Sequence, residues 1–180
     1  MTAPDGGVRL LPADLAVHRS VLVELNVEYL TWLEQLSEEH FGLQLRDLLG
    51  ADVRTYTERS LDAMVRGAQR HGAFYLLEVD GALVGMGGLR RFADGVAEVK
   101  RMYVQPGHRG RRLGAVLLTR LVDDARAQGY EELRLDTGPF MGAAHRTYEA
   151  AGFVDREAYE GAEVPTQMWH KWRFMQLSLR

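Results

Sequence analysis

Apolar residues along this chain fall into short blocks, some alternating with polar residues and some recurring every three to four positions. Residues 8–11 form a short extended block, closed by Pro12. From residue 13 to about 39, Leu15, Leu22, Leu25, Tyr29, Leu33 and Leu36 recur at helical spacing. Gly42 and Gly50 bracket a short helical piece, and residues 55–69 predict a further helix. Residues 74–79 and 82–89 read as strands joined by Asp80-Gly81, a strong hairpin signal. A second turn, Ala93-Asp94-Gly95, leads into a strand over 96–104. Residues 112–128 place Leu113, Leu117, Leu118, Leu121 and Ala125 on one helical face, and Gly129 supplies the stop. A strand over 133–137, a short helix over 141–151 ended by Gly152, and a closing strand over 173–179 complete the pattern.

No repeat, low-complexity stretch or interdomain linker interrupts this order. It predicts a single domain over 1–180 of the α/β (α+β) class, built on a central, mostly antiparallel sheet flanked by helices.

Composition narrows the chemistry. The chain has 180 residues, 46% apolar and 26% charged, with a formal net charge of −3. That charge gives no reason to expect a nucleic-acid partner. No apolar run approaches the ~20 residues of a membrane span. Residues 1–10 lack the basic start and apolar core of a leader, so the expectation is a cytoplasmic protein without a membrane partner. There is no cysteine, which removes disulfides, thiolate metal sites and a cysteine nucleophile. His18, His40, His71, His108 and His145 show no metal-ligand spacing, and no metal is expected.

The basic residues are almost all arginine, and three of them, Arg109, Arg111 and Arg112, cluster in one turn. The segment V-K-R-M-Y-V-Q-P-G-H-R-G-R-R-L-G over 99–114 runs from a strand through that turn into a helix. Such a junction presents free backbone N–H groups and a positive helix end to an anion. It lacks the G-K-[ST] of a nucleoside-triphosphatase loop and the G-x-G-x-x-G of a dinucleotide site. On the pattern alone, a solvated loop and a phosphate cradle are equally compatible with it. The strand feeding the turn is irregular. Val99 is apolar at an odd position, while Met102 and Val104 are apolar at even ones. Loss of one residue of parity predicts a β-bulge near Arg101, with an irregular edge strand as the alternative.

Two motifs carry a resemblance to the GCN5-related N-acetyltransferase (GNAT) superfamily. Its R/Q-x-x-G-x-G/A turn resembles Arg109, Gly110, Arg111, Arg112, Leu113 and Gly114, with Arg112 in place of the first signature glycine. Its A-x-x-x-Y-E-x-x-G-F helix resembles residues 144–153, centred on Tyr148. Met141 stands where many relatives have asparagine. The resemblance is strongest over about 74–153 plus the final strand. It implies a sheet of six to seven strands splayed between the fourth and fifth.

The resemblance further implies acetyl-coenzyme A as cosubstrate. The amides of the Arg109–Gly114 turn would hold the pyrophosphate, and the Met102, Tyr103 and Val104 backbone would hold the pantetheine arm and polarise the thioester carbonyl. Tyr148 would be the acid that protonates the departing thiolate. Glu98 is the leading candidate for the proton acceptor, with a surface ion pair to Lys100 or Arg91 as the alternative; Asp136 and Glu28 follow. Tyr29 and Trp32 on the first helix, with Asp136 and the aromatics near Trp169, would line the acceptor pocket or serve core or dimer packing. The expected activity is acetyl transfer to a small-molecule primary amine in a ternary complex, by a monomer or homodimer. Peptide N-acetylation and a non-catalytic acyl-coenzyme A sensor or interaction module are the rivals.

Overall fold

The computed structural model describes residues 7–180; residues 1–6, most of the segment read above for a leader pattern, lie outside the described residues. The chain runs β1 (Val8–Pro12), α1 (Leu15–Phe41), α2 (Leu45–Leu49), α3 (Val53–His71), β2 (Ala73–Val79), β3 (Ala82–Ala93) and β4 (Val96–Val104). It continues through α4 (Leu113–Ala127), β5 (Glu132–Thr137), α5 (Gly142–Ala150), β6 (Val154–Asp155) and β7 (Arg173–Ser178). The strands form one seven-stranded sheet in the order β1-β2-β3-β4-β5-β7-β6. All neighbours are antiparallel except β4 and β5.

Strand alternation assigns a face to each helix. Leu76, Met86 and Tyr103 pack with Leu22, Leu25, Leu61 and Val65 of α1 and α3. Tyr75, Leu89, Leu133, Leu135 and Met175 pack with Leu117, Leu118 and Leu121 of α4 on the opposite face. Each helix thus buries its apolar stripe, the arrangement that the spacing of those leucines requires. Among the described residues no helix is long and apolar enough to cross a membrane.

Some element limits differ from the sequence reading by more than fraying, and two short elements were not anticipated. Helix α3 begins at Val53, because the Asp52 side chain accepts from the Thr55 amide at 3.0 Å and caps the helix two residues early. Strand β3 extends to Ala93, paired with β4 as far as Val96. The two-residue β6 and a 3-10 turn over Thr166–Lys171 had no alternation or helical period to announce them.

The feature that positions the site is the meeting of β4 and β5. They pair over Val96, Ala97 and Glu98 only. Beyond that point they diverge, and the β5-facing edge of β4 has no strand partner. The bulge lies where parity indicated it. Met86 pairs with Tyr103 but Gly88 pairs with Lys100, so β4 carries one extra residue, and Arg101 has φ 56°. The bulge places Val99 and Met102 on the α4 face and leaves both Lys100 and Arg101 on the other.

Candidate active site

A cavity of about 540 Å³ opens where β4 and β5 part. One end is the turn from His108 to Gly114, the middle is the β4 edge from Val99 to Val104, and Tyr148 of α5 stands across from it. Side chains of α1, α2 and the segment around Pro165 close the other end.

The turn is built to leave amides open. Gly110 has φ 79° and Arg112 φ 59°, so two left-handed residues curl the backbone at the entry to α4. Helix α4 has no side-chain cap. Among the described residues, no protein acceptor is found for the amides of Gly110 through Gly114. These amides and the helix dipole make a cradle that suits a phosphate group. The φ of Arg112 disfavours any residue with a Cβ, so glycine would occupy this position at lower cost.

Arg109 is bound into the protein. Its Nε donates to the Val104 carbonyl at 2.9 Å, and its guanidinium lies 4.5 Å from the Trp32 ring centroid and 5.5 Å from that of Tyr103. Arg111 and Arg112 are exposed. Burial and the nearby Glu28 carboxylate push the Tyr103 hydroxyl up to about 12. Met141 precedes α5 and accepts a hydrogen bond from Thr137 Oγ1 through its sulfur at 3.6 Å.

Tyr148 is buried at 7% exposure and lies 5.9 Å, ring to ring, from Phe153. Burial, followed by the neighbouring Tyr29 and Asp136, pushes its hydroxyl well above the ordinary tyrosine range. The phenol therefore keeps its proton throughout the neutral range and lines the cavity as a donor.

Glu98 occupies a different place from the one anticipated. It is fully buried and does not line the cavity. Its oxygens accept from Tyr159 Oη at 2.7 Å and Arg90 Nε at 2.7 Å, and Lys100 Nζ stands 3.3 Å away. These donors hold the carboxylate behind the cavity wall rather than in it. The ion pair to Lys100 is present, but it is buried rather than on the surface, and the arginine partner is Arg90 rather than Arg91. Glu28, a further candidate, accepts from Gln105 Nε2 at 2.8 Å.

The carboxylates that do face the cavity are Asp136 and Glu163. Asp136 accepts from Lys100 Nζ at 2.8 Å and Trp172 Nε1 at 3.2 Å. Burial would raise Glu163, but Lys100, Arg101 and Arg90 hold it below the ordinary carboxylate value. Burial likewise acts to lower Lys100, and Asp136, Glu163 and Glu98 outweigh it, keeping the ammonium charged.

Tyr29 and Trp32 both line the cavity and both pack on Tyr103, at 5.6 and 6.1 Å between centroids. Trp169 does not line it; its indole donates to the Val164 carbonyl and its ring packs on Phe174. The neighbouring Trp172 takes the wall position instead. Arg101, Tyr56 and Glu163 were not singled out from the sequence. The parity loss at the bulge was the available signal for Arg101, because an extra residue puts two consecutive charged side chains on one face.

Comparison with known proteins agrees with this geometry. Residues 31–153 match the model of the acetyltransferase (GNAT) family. The IAA acetyltransferase of Azospirillum brasilense is 40% identical over 84 residues, 46% of this chain and 55% of that protein. The N-acetyltransferase YjgM of Escherichia coli K12 is 29% identical over 103 residues, 55% of this chain and 62% of that one. The matches thus span little more than half the length of these relatives. Among solved structures, the PaiA N-acetyltransferase of Thermoplasma acidophilum in complex with coenzyme A superposes with a TM-score of 0.71 at 17% identity, covering 96% of this chain and 99% of that one. YncA of Salmonella typhimurium, with acetyl-CoA, gives 0.69 at 23% identity, covering 97% and 95%. With an open sheet parted between β4 and β5 and a family match over most of its length, the chain belongs to the acetyltransferase (GNAT) family.

Proposed function

We propose that the protein transfers an acetyl group from acetyl-coenzyme A to a primary amine of a small molecule, both being bound at once. The observation that carries this reading is the single cavity running from the open amides of the α4 turn, past the unpaired edge of β4, to Tyr148 and the aromatic-walled end. The residues fit the cosubstrate: amides of Gly110–Gly114 would hold its pyrophosphate, and the edge of β4 over Met102, Tyr103 and Val104 would pair with its amide-bearing arm. When bound, it supplies the acetyl thioester, an electrophile that a neutral amine attacks.

The chain's own groups would then act as follows. A backbone N–H of the Met102–Tyr103 segment polarises the acyl oxygen, the kind of fixed dipole that contributes most to acyl transfer. Asp136 accepts the amine's proton directly or through water, and Lys100, Glu98 and Trp172 hold Asp136 and its surroundings in position. Tyr148 donates its proton to the leaving sulfur. In balance, the amide C–N bond forms as the thioester C–S bond breaks; the amine's proton goes to Asp136, the departing thiolate takes the Tyr148 proton, and the proton on Asp136 returns to Tyr148 through water, so both side chains end as they began. The walls from Leu45, Leu48, Phe140 and Trp172 support a small acceptor over an extended peptide.

Thiol release from acetyl-coenzyme A, measured against a panel of amines, amino acids and peptides, tests the reading. Turnover with small amines is expected. Cofactor binding without turnover of any acceptor would favour a sensor, and turnover restricted to peptides would overturn the small-molecule acceptor.

A further inference from the structure

Resting on that reading of the cavity, the geometry points to Arg101 as the residue that recognises a carboxylate on the acceptor, so that the acetylated amine is one carrying a carboxylate and an apolar body.

The charges around the acceptor end divide unevenly. The carboxylates of Glu98, Asp136 and Glu163 are all taken by Arg90 and Lys100, with contacts between 2.6 and 3.8 Å. Arg101 makes none of these pairs. Among the described residues, no carboxylate oxygen lies within 4.0 Å of its guanidinium. Its neighbours are rings: the Tyr29 centroid at 6.0 Å, the Tyr56 centroid at 5.9 Å and the Tyr56 hydroxyl at 3.5 Å. Glu163 feels the charge of Arg101 from beyond that distance, but no carboxylate closes on its planar donor fork, which stays open to another anion.

The backbone gives a second and separate reason. Arg101 is the bulged residue of β4 and sits at φ 56°, a conformation that glycine adopts without penalty and a side chain adopts at a cost. A bulge alone would be better served by glycine. The strained arginine is turned toward α1 and α3, on the same face as Lys100, and so into the cavity. The site thereby has two poles: a cationic fork at Arg101 and the carboxylates of Asp136 and Glu163. An amine that also bears a carboxylate matches both. Leu30, Leu33, Leu45, Leu48 and Leu49 offer apolar contact to the rest of it. Apolar amino acids are the simplest members of this class.

The experiment uses matched acceptors. Phenylalanine, phenylalaninamide and phenethylamine, and the corresponding leucine set, are compared by thiol release at saturating acetyl-coenzyme A. The acids are expected to show kcat/KM about 100-fold above their amides and amines, as loss of a charged hydrogen-bonded partner implies. Arg101→Gln should raise KM for the acids by a similar factor, leave kcat within a few fold, and abolish the preference. Arg101→Lys, which keeps the charge, should restore part of it; a merely structural arginine would not give this charge-dependent split. Coenzyme A affinity and thermal melts of each variant show whether fold and cosubstrate site are intact. Equal use of acids and amides, or a preference unchanged by Arg101→Gln, would overturn the assignment. If no amine is acetylated although coenzyme A binds, the same ligands are titrated calorimetrically onto the coenzyme A complex. Carboxylate-dependent binding lost in Arg101→Gln then upholds the subsite while the transfer reading fails. Absence of such binding overturns both.

Discussion

The Lys100 ammonium lies 2.8 Å from Asp136 Oδ2, and this ion pair ties together two strands that have stopped pairing through their backbones. It stands just past the last β4–β5 pair, at Glu98 and Arg134, where the sheet begins to open. Lys100 is almost wholly enclosed, with a side chain 10% exposed, so its charge depends on the carboxylates around it.

Asp136→Asn is therefore expected to act twice. Removing one partner of a buried pair should cost about 2 kcal/mol of stability. Loss of the proton acceptor should lower kcat/KM about 100-fold. The two effects separate in a pH series. The folded-state value of Lys100 is raised above its ordinary one, so its contribution to stability is full below about pH 10 and fades as pH rises through the folded value. In Asp136→Asn the folded value loses its largest raising cause, so the alkaline fall in melting temperature should start from the same pH but be shallower than in the wild type. Unchanged kcat/KM would move the proton-acceptor role away from Asp136.

Tyr148→Phe keeps the buried ring against Phe153 and removes only the hydroxyl. The expected result is a fall in kcat of about 100-fold with coenzyme A affinity and melting temperature nearly unchanged. Because burial holds the phenol protonated, its own ionisation should contribute no basic limb to the wild-type profile at neutral pH. Full activity of the variant across the pH range would end the acid assignment.

The bulge was legible before any coordinates, because apolar parity along one strand is a local property. So were the helix stripes and the arginine-rich turn. What was not legible is pairing over long sequence distances. Tyr159 reaches Glu98 across 61 residues and Trp172 reaches Asp136 across 36. Only those contacts reveal that Glu98 is sealed and that Asp136 faces the cavity. Trp169 and Trp172 lie on one 3-10 turn and its cap, and composition could not distinguish which ring would face inward.

Arg112 gives a test of whether backbone or side chains hold the phosphate. Its φ of 59° costs a residue with a Cβ about 1–2 kcal/mol, partly offset for glycine by a more flexible unfolded chain. Arg112→Gly should consequently raise the melting temperature slightly or leave it unchanged. If the amides of 110–114 carry the binding, coenzyme A affinity should fall by no more than a few fold. A large loss, measured by calorimetry at two salt concentrations, would assign the guanidinium a direct phosphate contact.

Glu98 is expected to matter through stability and through positioning. Glu98→Gln would leave Arg90 and Lys100 facing a neutral amide inside the sheet, and breaking a buried pair in this way costs about 3–5 kcal/mol. Tyr159 would keep an acceptor, so the loss should exceed that of Tyr159→Phe, which removes a single hydrogen bond. Melting temperatures of the two variants give the comparison. A Glu98→Gln protein that melts like the wild type but has lost an acidic limb of kcat/KM would instead return the proton-acceptor role to Glu98.

The acid side of the stability curve should be read at Glu163. Its folded value lies below the ordinary carboxylate value, so the unfolded chain takes up this proton more readily than the native one. Stability therefore rises with pH through this window: the contribution is complete above about pH 5 and drains away as pH falls through the folded value. The side chain remains 46% exposed, so solvent screens its pairs with Lys100 and Arg90 and the contribution is modest. Glu163→Gln should remove this dependence, giving melting temperatures that fall less steeply than the wild type's between pH 5 and about pH 3. Parallel curves for the two proteins would show that the cations at this end of the cavity take their compensation from Asp136 and Glu98 alone.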